Sequence, residues 1–174
     1  MENFICVTCG TQFPASAEPP ANCPICDDDR QYVGHNGQQW TTLGDLRASH
    51  ENEIVPVDPN LAGIATTPQF AIGQQAHLIQ TPRGNVLWDC VSLIDDASID
   101  RIKQLGGINE IAISHPHYYT TMVEWSRAFG GAPIHLHEAE RPWVMRPDPC
   151  IQFWSGESRT LQSGLPLIRT GGHF

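Results

Sequence analysis

Short apolar-rich runs stand at "AHLIQT" (76–81) and "NVLWDCV" (85–91), with "PRG" between them. Two such runs joined by a short turn predict a β-hairpin. Downstream the pattern switches. "DDASIDRIKQLGG" (95–107) predicts a helix with acidic residues in its first turn and Gly106–Gly107 as its stop. "INEIAISH" (108–115) predicts a buried strand, "YYTTMVEWSRAFG" (118–130) a second helix, and "APIHLHEAE" (132–140) a further strand. "RPWVMRPDPC" (141–150) is a proline-broken loop, and the remainder to Phe174 predicts two short strands with a turn. Upstream, "TLGDLRASHENEI" (42–54) predicts a short helix with Leu43 and Leu46 on one face, and residues 55–73 an extended segment broken by Pro56, Pro59 and Pro68. Strands alternating with helices imply an α/β layer built on a mixed sheet. The chain shows no internal repeat and no low-complexity segment.

Composition narrows the class. The 174 residues suit one medium domain plus a small module. A net charge of -9 and a pI near 5.2 argue against a nucleic-acid footprint, which is a basic patch or stripe. No stretch approaches the roughly 18 consecutive apolar residues of a membrane helix. The N-terminus "MENFICVTCG" lacks a positive segment followed by an apolar one, so no secretory signal is read there, and a cytoplasmic, reducing setting is expected. In that setting the six cysteines favour metal ligation over disulfides.

Four cysteines form one pattern. Cys6 and Cys9 make one C-x-x-C, Cys23 and Cys26 another, with 13 residues between the pairs. Two tight knuckles complete a tetrahedral four-sulfur shell, which accommodates structural zinc or iron. Gly10, directly after the first pair, suits the turn that brings backbone N–H groups towards the sulfurs. Such a module is too small to bury its own core, so metal binding would supply much of its folding free energy. Cys90 and Cys150 are expected to be buried free thiols.

The histidines carry the second signal. His115 and His117 stand two apart at the end of a buried strand, where extended geometry aims both to one side. Asp89 closes a hairpin strand, and His173 follows Gly171–Gly172 at the end of another. His135 and His137 form a second His-x-His pair, read as pocket wall or structural, with Glu138 and Glu140 solvated. Trp125, Trp143 and Trp154 are read as core or pocket wall.

These spaced landmarks resemble the metallo-β-lactamase fold hydrolases. In that family a hairpin strand ends in aspartate, here "VLWDC" with Asp89. A buried strand then presents H-x-H-x-D-H, here "SHPHYYT" with His115 and His117, and a glycine–histidine turn supplies a later ligand, here His173 in "LIRTGGHF". The resemblance covers about residues 50–174. It implies an αββα sandwich in which His115, His117 and His173 hold one zinc (or iron or manganese). A bound water would then attack an ester, amide or phosphoester-type bond in a small-molecule substrate. Asp89 would orient an imidazole by accepting its free N–H, and Tyr119 would donate a hydrogen bond to substrate or to a developing oxyanion.

The sequence departs from the family in two ways. Tyr119 and Thr120 stand where the motif has aspartate and histidine, so a second ion is not expected. The chain also ends at Phe174, one residue past His173, and so resembles the N-terminal half of the domain. Either the sequence is a fragment, or a partner chain or oligomer completes the sandwich, and the 174 residues alone are expected to hydrolyse little. The expected organisation is a cysteine ribbon at 1–34, a linker with a short helix at 35–60, and the hydrolase-like domain at 61–174. A second function class stays open: a zinc-ribbon binding protein on a hydrolase scaffold that has lost catalysis.

Overall fold

A computed structural model describes residues 1–28 and 37–171. Two short strands open the chain, β1 (Ile5–Cys6) and β2 (Trp40–Thr41), paired antiparallel, and α1 (Leu43–Ser49) follows. The main body comprises β3 (Glu51–Asp58), β4 (Leu61–Thr67), β5 (Gln75–Ile79), β6 (Val86–Trp88), α2 (Asp96–Gln104), β7 (Glu110–Ala112), α3 (Met122–Ala128), β8 (Ile134–His137) and β9 (Ile151–Trp154). A hairpin, β10 (Ser158–Thr160) and β11 (Pro166–Ile168), ends it.

Strands β3 to β9 form one seven-stranded sheet in chain order. Pairing is antiparallel from β3 to β6 and parallel from β6 to β9. A parallel neighbour needs a crossover, and α2 and α3 provide two of them. Asp95 caps α2 by accepting the Ser98 N–H at 2.7 Å, Asp96 lies in its first turn, and Arg101 and Lys103 lie in its last. Charge and helix dipole therefore agree at both ends.

The two faces of the sheet differ. Inward residues such as Ile64, Leu78, Leu87, Ile111 and Ile134 pack with Ile102 and Trp125 into the principal core. On the opposite face, Val86 and Ala112 are covered by Leu161 and Leu167 of the terminal hairpin. Farther out on β3, Val55 and Val57 remain 51% and 58% exposed.

The expected boundaries need four corrections. Residues 51–58 form an edge strand of the sheet, where the end of the short helix and the start of a broken extended segment were expected; Pro56 is tolerated there because one side of an edge strand needs no N–H donor. The strand expected at 85–91 ends at Trp88, because Asp89 has φ +64 and turns the chain out of the sheet. The second helix starts only at Met122, after a short helical turn at Pro116–Tyr118 and a left-handed Thr120 at φ +35. The last 24 residues expected to hold two strands hold three among the described residues, the first joining the main sheet. No helix among the described residues is long and apolar enough to cross a membrane.

Candidate metal centres and cleft

The four ribbon cysteines converge. Their sulfurs all lie within 4.8 Å of one another, with Cys6 Sγ 3.6 Å from Cys26 Sγ and Cys9 Sγ 3.6 Å from Cys23 Sγ. Zinc–sulfur bonds of about 2.3 Å in a tetrahedron set the sulfurs roughly 3.8 Å apart, so the four fit one ion. All four are buried, packed with Phe13 and Ile25 and flanked by Trp40, Trp143 and Met145. Among the described residues, no other group of three or more ligands gathers this closely.

The knuckle is locked onto the main body. Gly10 (φ +78) passes so close to it that a Cβ would run into Ser92 Oγ and lie 2.6 Å from Gln74 Nε2. Glycine is required there for φ and for space. Gln12 N donates to Thr120 O at 3.2 Å, and Arg146 bridges the Gln12 side chain and Glu124 Oε1, the latter at 2.7 Å.

A cleft of about 510 Å³ opens where the parallel strands end, lined by Trp88, His115, His137, Glu140, Trp143, Trp154 and Arg169 among others. The carboxyl ends of parallel strands are the general location of ligand sites in open α/β sheets. His115 and His117 lie together at this end. Their Nδ1 atoms are 3.1 Å apart and their rings are stacked at 4.7 Å with 16° between planes. His115 Nδ1 also accepts the His117 N–H at 3.1 Å. The one lone pair of His115 Nδ1 is taken by that N–H, so the 3.1 Å contact gathers the two imidazoles at one point and is not itself a ligand spacing. His173 lies outside the described residues.

Asp89 serves this loop through a different partner from the one expected. Among the described residues its carboxylate accepts from the Ser114 N–H at 2.8 Å and from the Ser114 hydroxyl at 3.0 Å, fixing the residue before His115 and not an imidazole. Burial pushes its carboxyl up to about 6, against the pull of Ser114 and His77. The strained φ of Asp89 and of Thr120 flanks the histidine turn, and such strain, about 1–3 kcal/mol each, concentrates at functional sites.

A pH prediction follows from Asp89. Its folded pKa exceeds the ordinary 3.8, so the folded chain keeps a proton that the unfolded chain releases. Stability therefore falls as pH rises from about 4 to about 6, by an amount on the order of 3 kcal/mol for a shift of this size. Urea midpoints of wild type and Asp89→Asn at both ends of that window measure it. A stability difference that stays constant with pH would remove Asp89 as the titrating group.

Tyr119 and Thr120 are turned away from the cleft surface. Tyr119 is 2% exposed, and its hydroxyl donates to Glu140 Oε2 at 3.4 Å. Its reach into the cleft runs through Glu140, which corrects the expectation of direct contact with substrate. Thr120 donates to Val91 O at 3.2 Å, and Thr121 and Trp125 Nε1 meet the same carbonyl.

His137 lines the cleft, its ring edge-on to Trp154 at 4.7 Å. His135 is buried and pairs through Nε2 with Glu110 Oε1 at 3.1 Å. Glu110 also accepts the Gln162 and Ser163 N–H groups, tying the terminal hairpin to the sheet. Burial works against its charge, but those N–H groups and His135 outweigh it and hold the carboxyl below its ordinary range.

Sequence reasoning missed Glu140, Gln74, Ser114 and Glu110. Glu110 had a readable signal: an acidic residue at the start of an apolar strand demands a partner. Gln74 had none, since its partners lie 43 and 65 positions away.

No protein-family model matches the sequence. The chain is 51% identical over 176 aligned residues to the uncharacterised protein YmaE of Bacillus subtilis (strain 168), covering all of this chain and 64% of that protein. It thus spans somewhat under two thirds of the curated relative. Among solved structures, the DIM-1 metallo-β-lactamase exposed to ceftazidime superposes with a TM-score of 0.55 at 14% identity, over 70% of this chain and 60% of that one. MEM-A1, a subclass B3 metallo-β-lactamase from a soil metagenome library, gives 0.48 at 20% identity, over 63% and 48%. The fold is therefore metallo-β-lactamase-like, a mixed α/β architecture carrying a four-cysteine group at its N-terminus.

Proposed function

We propose that this chain carries the metal-binding part of a metal-dependent hydrolase acting on an ester, amide or phosphoester-type bond. The observation that supports this most is the gathering of His115 and His117, their rings stacked at 4.7 Å, at the end of the parallel strands beside an aromatic-walled cleft. His115 and His117, with His173 as the third, would hold one ion. A zinc ion in such a site acidifies a water to a pKa of about 7 and polarises the group under attack. The chain's own residues prepare that site. Asp89 and Ser114 fix the backbone entering the histidine turn. Trp88, Trp143 and Trp154 give the cleft its apolar walls. Burial raises the Glu140 carboxyl above its ordinary value, which suits a group exchanging a proton within the cleft, and Tyr119 positions it. The four-cysteine site keeps no open coordination place, so its metal, zinc in our reading, is structural.

Metal counting tests the reading. The chain is expected to bind two equivalents of zinc, one of which is lost in His117→Ala while the cysteine-bound one stays. Any hydrolysis of ester, amide and phosphoester probes should disappear with it. A single equivalent untouched by His117→Ala would overturn the reading. That result would favour the second one, a non-catalytic binding module, which the four cysteines support as the one close ligand group among the described residues.

A further inference from the structure

We infer that the metal-bound cysteine knuckle sets the position of His117 through the side chain of Gln74. This rests on the histidine reading above only for its consequence, since the placement itself is geometric. Gln74 is 5% exposed and stands between the two sites. Its Nε2 donates to the backbone carbonyl of Cys9 at 2.8 Å and to that of His117 at 2.8 Å. Its Oε1 accepts from the Ser92 hydroxyl at 3.1 Å, and the same hydroxyl reaches Gly10 O at 3.3 Å.

This network fixes which way the amide points. Reversed, its oxygen would face the two carbonyl oxygens of Cys9 and His117 with no donor between them. Both N–H groups are thus committed, one to a residue carrying a ribbon sulfur and one to a residue carrying an imidazole. A buried amide with all its bonds made moves only with its partners. Two further contacts run in parallel. Gln12 N holds Thr120 O, and Trp143 packs on the cysteine cluster while lining the cleft. Gly10 lies in direct contact with Ser92 and Gln74, so the knuckle backbone and the bridging side chains are packed together.

The consequence is energetic coupling. If the knuckle is ordered only when its sulfurs hold an ion, that ion also orders the His117 carbonyl. By linkage, occupation of either site then favours the other. Gln74 is a positioning residue, acting through a backbone carbonyl two bonds from the His117 Cα and never touching substrate. Partners of this kind are worth roughly 10- to 100-fold in metal affinity.

The test uses the full chain, zinc-loaded and labelled with nitrogen-15 in its histidine rings. Gln74→Met keeps the side-chain length and removes every hydrogen bond. It is expected to retain about one equivalent of zinc on the cysteines, to displace the His115 and His117 ring signals, and to weaken zinc binding at the histidines at least about tenfold. Stripping the cysteine-bound zinc from wild type with a chelator should displace the same ring signals. Ring signals that stay in place in both experiments overturn the inference. Should Gln74→Met fail to fold, Ser92→Ala, which frees the Gln74 Oε1 and the Gly10 carbonyl, should move the same signals by less; no movement there counts against it equally. Absence of histidine-bound zinc in wild type would defeat the hydrolase reading alone, because the ring signals still decide whether the knuckle places His117.

Discussion

Replacement of Cys23 by serine is expected to release about one equivalent of metal and to unfold the first 28 or so residues. The reason is what the ribbon has to pack. Of the six buried residues in its cluster, four are the ligands themselves, leaving Phe13 and Ile25 as the apolar remainder. Two such side chains supply only a few kcal/mol between them, whereas structural zinc contributes apparent free energies of about 10–16 kcal/mol at neutral pH. Loss of one sulfur also leaves three buried thiol groups competing for protons without a cation. Trp40, edge-on to Phe13 at 5.1 Å, and Trp143 report the change by fluorescence, with zinc content measured in parallel. Unchanged zinc in the variant would refute the four-cysteine assignment. The seven-stranded body should persist, since its core shares no buried residue with the ribbon cluster.

Glu110→Ala is expected to cost roughly 3 kcal/mol or more, because it leaves several buried donors unsatisfied at about 1–3 kcal/mol each. The loss is larger than that of one contact because the same carboxylate serves the Gln162 and Ser163 N–H groups and His135. Deleting it strands two backbone donors and an imidazole, all beneath the β10–β11 hairpin. Arg169 and Leu167 of that hairpin line the cleft, so one cleft wall should loosen with it. Acid should act in the same direction. Glu110 is held below its ordinary value, so its contribution is present above the unfolded pKa near 4.5 and is lost as pH falls through the folded one. Burial likewise holds His135 below its ordinary 6.5, and forcing a proton onto it in acid costs stability again. Hydrogen exchange at the Leu161 and Gly164 amides, which close the hairpin turn, is the measurement. Protection equal in Glu110→Ala and wild type would show that the hairpin is held by Leu161 and Leu167 alone.

The α/β class was legible because β5 to β8 read as apolar-rich runs alternating with helical segments, and α2 is bracketed by Asp95 and Gly106–Gly107. The four-cysteine site was legible because its ligands come as two local pairs whose spacing suffices. What escaped was set by contacts distant in sequence. Residues 51–58 did not read as a strand because Pro56 and four acidic or amide side chains mask an edge strand, which buries little. Tyr119 read as a substrate donor because its motif position faces the ion in the resembled family, yet here the left-handed Thr120 turns the segment so that the ring enters the core. Asp89 was expected to hold an imidazole and instead accepts from Ser114, a contact that depends on where β7 ends.

The edge strand β3 has a consequence for association. Its pairing with β4 is irregular between Pro56 and Asp58, Pro56 offers no N–H, and Glu51, Glu53 and Asp58 add like charges along it. Each feature discourages another strand from zipping alongside. Val55 and Val57 nevertheless expose their apolar side chains on the same strand. Any neighbour recruited here must therefore lie flat across the sheet, meeting side chains and not backbone, so recognition would be governed by shape and volume. A stray extended peptide, which offers mainly backbone hydrogen bonds, would find little to grip.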